Sequence, residues 1–247
     1  MLGSDETAAL QFSGGKDSAA LLYLARPHLD RITVLFGDTG AVYPHVLDYV
    51  QETCRKLGAT LEIVRPALDV LAYTAINGLP ADIVPVEATA EMAPYLREKP
   101  PQLVQPYMAC CSAMIFAPME RAIKKSGAKI VLRGSKACDA RVGIADKQIE
   151  DGIEYRSPLW HCTDADVFAY LEREGVELPA HYAAVNDSLD CWACSAHLAH
   201  HGAEKLRWTR EHYPELYTIA ADRVRRVRQV LLDQSARIAS AMREADQ

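Results

Sequence analysis

The stretch LQFSGGKDSAALLYLA, residues 10–25, constrains this chain most strongly. An apolar run, AALQF (8–12), ends at Ser13-Gly14-Gly15, and a helix-forming run, DSAALLYLA (17–25), starts directly behind Lys16. A short apolar run closed by a turn signal reads as a buried strand. The two glycines let the backbone turn tightly and approach a ligand closely. Free N–H groups at the start of a helix point at such a ligand, and the helix dipole favours negative charge there. The segment Ser13, Gly14, Gly15, Lys16, Asp17 and Ser18 is therefore expected to be an anion cradle between strand and helix. Lys16 adds a point charge, the serines add hydroxyl donors, and Asp17 offers an oxygen ligand to Mg2+. The segment is not the G-x-x-x-x-G-K-S/T phosphate loop, because Leu10 and Asp17 stand where that pattern requires Gly and Ser or Thr.

The alternation continues along the chain. RITVLFGD (31–38) and TLEIV (60–64) read as strands. Between them, Val46, Val50, Cys54 and Leu57 recur at helical spacing, closed by Gly58. CSAMIFAPMERAIKKSG (111–127) reads as a helix interrupted by Pro118, and AKIVLRG (128–134) as a further strand. TDADVFAYLEREG (163–175) starts a helix at Thr163 and stops it at Gly175. From Pro214 to Gln247 the pattern is helical, with Val224, Val227, Leu231, Ile238 and Met242 as an apolar stripe. These features predict an α/β fold: a parallel twisted sheet flanked by helices, with a helical C-terminal extension. The expected division is residues 1–202 and 203–247. Residues 78–107 carry Pro80, Pro85, Pro94, Pro100, Pro101 and Pro106, so they form neither one long helix nor a central strand. They read as an insertion, either a surface segment or a lid.

Composition narrows the classes. The chain has 247 residues, 49% of them hydrophobic, and a formal net charge of −6. That argues against a general nucleic-acid coat protein and leaves a local basic groove open. No apolar stretch approaches the roughly 18–20 residues that cross a bilayer, and MLGSDETAAL has no secretory pattern. The expectation is a cytoplasmic protein with no membrane partner. In a reducing compartment the seven cysteines are core residues, metal ligands or catalysts rather than disulfides.

The hexapeptide Ser13–Ser18 resembles the PP-loop of the adenine-nucleotide alpha-hydrolase group. That resemblance implies a loop gripping pyrophosphate while ATP is split between its α and β phosphates and a substrate is adenylated. Asp38-Thr39-Gly40, with Pro44 behind it, resembles the D-T-G-x-x-x-P segment of the PAPS reductase family and lies at a strand's carboxyl end, where open α/β sheets bind ligands. RSPLWHCTDADVFAYLEREGVELPAHY (156–182) resembles the same family's segment running from P-L through a D-x-D-V helix to a final tyrosine. RGSKACDARVG (133–143) stands in place of its glycine-arginine substrate loop. There Gly134 and Lys136 are expected to contact the nucleotide; Lys136 replaces the usual arginine, and Arg141 lies nearer the glycine than the family's distal arginine.

Cys110-Cys111 and Cys191-Trp-Ala-Cys194 are the distinctive cysteines. C-x-x-C alone fits a redox pair or half a zinc site. The pairs together resemble the CC…CxxC arrangement of assimilatory adenylyl-sulfate reductases, which implies a [4Fe-4S] cluster on Cys110, Cys111, Cys191 and Cys194. His197, His200 and His201 keep a zinc site open, although adjacent cysteines fit one tetrahedral zinc awkwardly. Cys54 falls on its helix's apolar stripe and reads as core.

Three functions follow. The favoured one is ATP-dependent sulfur transfer, because the chain resembles cluster-containing PP-loop enzymes that thiolate tRNA or put phosphorothioate into DNA. Lys16, Asp17, Cys138 and Arg141 are its expected catalytic residues. The second is an adenylyl-sulfate or PAPS reductase that releases sulfite to a thiol reductant. That family places its nucleophile in a C-terminal tail, and no cysteine follows Cys194, so Cys138 or Cys162 would have to serve. Lys136 or Arg141 would then lower the thiol pKa. The third is a nucleotide-binding subunit without turnover. The expected partners are an adenine nucleotide, a sulfur donor or thiol reductant, a nucleic-acid acceptor and a second copy of the chain. Arg223, Arg225, Arg226 and Arg228 form a basic knot that either touches phosphate or lines a solvated helix face.

Overall fold

The computed structural model describes residues 2–3, 6–89, 102–139, 145–189, 191–199 and 201–246. The first half follows the expected alternation: β1 (Ala8–Gln11), α1 (Lys16–Leu24), β2 (Ile32–Gly37), α2 (Pro44–Leu57), β3 (Thr60–Val64) and α3 (Val70–Asn77). Next come β4 (Leu79–Ala81), β5 (Val104–Pro106), α4 (Tyr107–Cys111), α5 (Ala117–Ser126) and β6 (Ile130–Leu132). The remainder is β7 (Lys147–Glu150), β8 (Ile153–Arg156), α6 (Asp164–Arg173), α7 (Gly202–His212) and α8 (Pro214–Ala245).

The main sheet has the order β3-β2-β1-β6-β8-β7. Every neighbouring pair is parallel except β7 and β8. Ala8 pairs with both Ile32 and Ile130, and Leu10 with both Val34 and Leu132. Side chains alternate across a strand. Leu10, Val34 and Leu132 therefore share one apolar cluster with Leu21 and Leu22 of α1, Val50 of α2 and Leu171 of α6. Ala9, Leu35 and Val131 enter another, with Met119, Ala122 and Ile123 of α5. Both faces are covered, so these strands read as unbroken apolar runs.

Two local features differ from expectation. The segment 111–127 is not one interrupted helix: α4 passes through a π-helical turn, Ser112–Phe116, into α5. Pro118 sits in the first turn of α5, where its missing N–H costs least. The hairpin β7–β8 was not foreseen because Lys147–Glu150 is largely exposed and lacks apolar alternation. Its turn, Asp151-Gly152, has φ of 50° and 76°, the left-handed pair that an Asp-Gly hairpin turn requires. Within the proline-rich insertion, β4 and β5 form a two-stranded parallel sheet. Pro94, Pro100 and Pro101 lie outside the described residues.

The chain divides into two compact units. The first comprises 1–38, 42–65 and 115–189 and holds the six-stranded sheet. The second comprises 39–41, 66–114 and 190–247. These units do not coincide with a division at residue 202, because α8 shares its unit with residues 66–114. There Val227 is buried with Leu79, Ala81, Ala88 and Val104. Ile238 and Met242 of the expected stripe remain exposed. Among the described residues no helix is long and apolar enough to cross a membrane.

Candidate functional site

In the first unit, the loop after β1 is braced from within. Gly14 has φ of 81°, and a Cβ there would lie 3.0 Å from Val46 Cγ1. Ser13 Oγ accepts the Gly15 N–H at 3.3 Å and lies 3.0 Å from Ser18 Oγ. Ser18 Oγ donates to the Gly15 carbonyl at 2.9 Å. The serine hydroxyls thus shape the loop itself. Tyr182 Oη accepts the Lys16 N–H at 2.9 Å. The first turn of a helix leaves N–H groups that its own carbonyls cannot reach, so this mouth favours an anion.

The strand order reverses direction about β1 and β6, and open α/β sheets bind ligands outside the carboxyl ends of strands at such a point. The loop leaving β6 presses against the start of α1. A Cβ on Gly134 would lie 3.0 Å from both the Asp17 carbonyl carbon and the Ser18 nitrogen, so any larger residue would push this backbone apart.

Two lysines and three carboxylates meet there. Lys136, fully buried, donates to Asp17 Oδ1 at 2.7 Å and pairs with Asp164 Oδ1 at 3.0 Å and with Asp139. Lys16 Nζ lies 2.9 Å from Asp17 Oδ2 and 3.1 Å from Asp164 Oδ1. Burial opposes the charge on Lys136, but its hydrogen bonds to Asp139, Asp17 and Asp164 outweigh burial and hold its pKa above the ordinary lysine value. Burial likewise raises the Asp164 pKa, and the bonds from Lys136 and Lys16 reverse that, leaving it below the ordinary value. Oxygens of Asp17, Asp139 and Asp164 lie within 4.8 Å of one another, a donor set suited to a hard divalent cation.

Asp139, Asp164 and Tyr182 were absent from the sequence-derived site. Asp164 opens α6 behind the N-cap Thr163, whose capping box with Asp166 explains an acidic first turn by itself. Tyr182 closed a motif, but nothing local tied it to Lys16. Cys138 is exposed, with its thiol directed to Asp139 Oδ1 at 3.6 Å. Cys162 is half-buried against the main core. Arg141 lies outside the described residues. Asp38 directly follows β2, is buried, and accepts from Arg65 Nε at 3.0 Å.

The second unit gathers the distinctive cysteines. Cys110 is buried, and Cys111, Cys191 and Cys194 are partly buried. Burial, then the neighbouring Cys111 and Cys194, push the Cys110 thiol up to about 12. Burial, then Cys194, push Cys191 up to about 12. Thr39, expected beside a nucleotide, belongs to this unit and donates its hydroxyl to Cys191 Sγ at 3.7 Å. Gly40 turns the chain beside it with φ of 79°. His197 stacks edge-on against Tyr107, His201 sits at the start of α7, and His200 lies outside the described residues. The two pairs, Cys110-Cys111 of α4 and Cys191–Cys194, lie in the same unit, and thiolates are the ligand type a four-iron cluster takes.

A mostly parallel sheet with a glycine-lysine loop at the carboxyl end of a central strand defines an α/β protein of the open-sheet type, in which ligands sit outside those strand ends. The chain belongs to the phosphoadenosine phosphosulfate reductase domain family, whose model matches residues 7–197. It is 24% identical over 220 residues to an uncharacterized protein of Methanocaldococcus jannaschii, an alignment covering 87% of this chain and 47% of that protein. The chain thus spans about half the length of the curated relative it matches. Among solved structures it is similar to the phosphoadenylyl-sulfate reductase of Candida auris in its phosphate complex, with TM-score 0.49 and 17% identity, covering 71% of this chain and 76% of that one. It is also similar to the NH3-dependent NAD synthetase of Campylobacter jejuni, with TM-score 0.48 and 12% identity, covering 90% and 86% of the two chains.

Proposed function

We propose that this chain is an ATP-dependent sulfurtransferase. The observation that carries the reading is the cradle of Ser13–Ser18, braced by its own serines, with Lys16 and Lys136 at its mouth. The acceptor's oxygen attacks the α-phosphorus of ATP and pyrophosphate leaves; a sulfur nucleophile then displaces AMP from the adenylated acceptor. Lys16 and Lys136 exchange carboxylate partners for phosphate oxygens as pyrophosphate develops charge. Asp17, Asp139 and Asp164 would hold Mg2+, which when bound would offset phosphate charge. Cys110, Cys111, Cys191 and Cys194 hold a [4Fe-4S] cluster, which when bound supplies a soft iron site for sulfur or electrons. A sulfur donor, a nucleic-acid acceptor and a second copy of the chain are the proposed partners, in a reducing compartment such as the cytoplasm.

The test incubates anaerobically purified protein with ATP, Mg2+ and labelled sulfide, with and without tRNA or DNA. Acceptor-dependent AMP and pyrophosphate, with label on the acceptor, is the expected result. Nucleotide binding without turnover under every condition would instead mark a binding subunit. One observation favours a reductase as the second reading: the exposed Cys138 thiol lies two residues beyond Lys136. Its thiolate would attack the sulfur of adenylyl sulfate or PAPS, releasing the nucleotide, and a second thiol would then release sulfite. Sulfite formed without ATP would replace the first reading with this one.

A further inference from the structure

We propose that Arg223 is the internal counter-ion of the metal–thiolate centre on Cys110, Cys111, Cys191 and Cys194. The inference rests on the reading of those cysteines as metal ligands. Arg223 is only 6% exposed, on the inner face of α8. Its Nε donates to the Ala193 carbonyl at 2.6 Å, inside the Cys191–Cys194 turn, and a terminal nitrogen donates to Thr74 Oγ1 at 2.9 Å. Both acceptors are neutral. Among the described residues no carboxylate forms an ion pair with it.

A guanidinium keeps its charge in proteins. Burying a charge without an opposite one is strongly unfavourable. The Ala193 carbonyl that Arg223 holds lies between Cys191 and Cys194, so the guanidinium lies against the turn that carries those two thiols. As neutral thiols they cannot balance it; as metal-bound thiolates they can, because four thiolates leave a zinc ion or an oxidised four-iron cluster with net negative charge. The neighbouring Arg225, Arg226 and Arg228 are exposed, so Arg223 is not part of the basic knot they form. It also lies beyond the family match at 7–197. A positive charge beside a cluster favours the reduced form, which carries one more electron.

The test compares wild type, Arg223→Met and Arg223→Lys, purified anaerobically as the full chain. Iron, sulfide and zinc are counted, the cluster is titrated potentiometrically by electron paramagnetic resonance, and Tm is read before and after metal removal by a chelator. Arg223→Met should shift the midpoint potential negative and lose more Tm in the loaded than in the stripped protein. Arg223→Lys should restore the potential towards wild type. Equal Tm losses in both forms, an unshifted potential in Arg223→Met, or a shift in Arg223→Lys as large as that in Arg223→Met would overturn the proposal. If Arg223→Met does not fold, Arg223→Gln takes its place and is judged by the same criteria. Wild type carrying zinc would overturn the cluster reading, and the Tm comparison would still judge the counter-ion. Wild type without any metal would sink both.

Discussion

Lys136 Nζ lies 2.7 Å from Asp17 Oδ1, joining the loop after β6 to the first turn of α1 across 119 positions of sequence. The bond sits where the strand order reverses, so the two loops that shape the anion cradle are tied by charge as well as by backbone packing. A phosphate arriving there competes with carboxylates for both lysines, and a divalent cation on the freed carboxylates would restore the balance.

Replacing Lys136 by Met should lower stability by about 1–3 kcal/mol at neutral pH, because three carboxylates would face Lys16 alone. Asp164 has a depressed pKa, so its stabilising contribution is present above the ordinary aspartate range and is lost as pH falls through its folded value. Urea unfolding should therefore show the gap between wild type and variant closing on acidification. A gap that stays constant from pH 7 to 3 would contradict the network.

Lys16→Ala should weaken Mg–ATP binding about 10–100-fold, the loss of one charge-assisted contact. Its urea midpoint should stay close to wild type, since the side chain contributes little to the apolar core. Isothermal titration calorimetry gives the answer directly, and an unchanged affinity would remove Lys16 from the site.

Gly134→Ala places a methyl 3.0 Å from backbone atoms of Asp17 and Ser18. Backbone cannot rotate away as a side chain can, so a cost of about 1–3 kcal/mol is expected. Nucleotide affinity should fall together with stability. Normal affinity in a destabilised variant would mean that the β6 loop supports the fold and not the ligand.

With a [4Fe-4S] cluster on the four cysteines as proposed, anaerobically purified wild type should be brown and carry iron, and Cys191→Ser should lose both and have a lower Tm. Cys54→Ser is the control. Cys54 is buried in α2, its thiol pushed up to about 11 by burial, and it should keep the colour while losing core packing. Iron retained at wild-type level in Cys191→Ser would remove that residue from the ligand set.

Glu6 accepts two hydrogen bonds of 3.0 Å from Arg156, which, with the Gly3 N–H, hold its pKa at about 2 against an ordinary 4.5. A depressed carboxylate stabilises fully above its unfolded pKa and loses that contribution as pH falls through its folded one. The Tm advantage of wild type over Glu6→Gln should be full above pH 4.5 and fade towards pH 2. A difference independent of pH over that range would mean the pair contributes through packing alone.

Short-range patterns in the sequence determined much of this protein. AALQF, TLEIV and the Val46-Val50-Cys54-Leu57 stripe carry their own periodicity, and Gly58 ends its helix with φ of 67° as an αL cap should. Thr163 and Asp166 form their capping box within four residues of one another. The Ser13–Ser18 loop was legible because its glycines, its lysine and the following helix are contiguous. Tertiary structure alone decided the rest. It placed β6 beside β1, and so brought Lys136 and Asp164 to Asp17. It assigned Thr39 to the cysteines although Asp38, one residue earlier, directly follows a strand of the sheet. It turned Arg223 inward while Arg225, Arg226 and Arg228 of the same knot stayed exposed. The physical reason is range. Periodicity, capping and turn preference act between residues a few positions apart, whereas strand order and buried charge pairing depend on which apolar faces of the whole chain can be covered together.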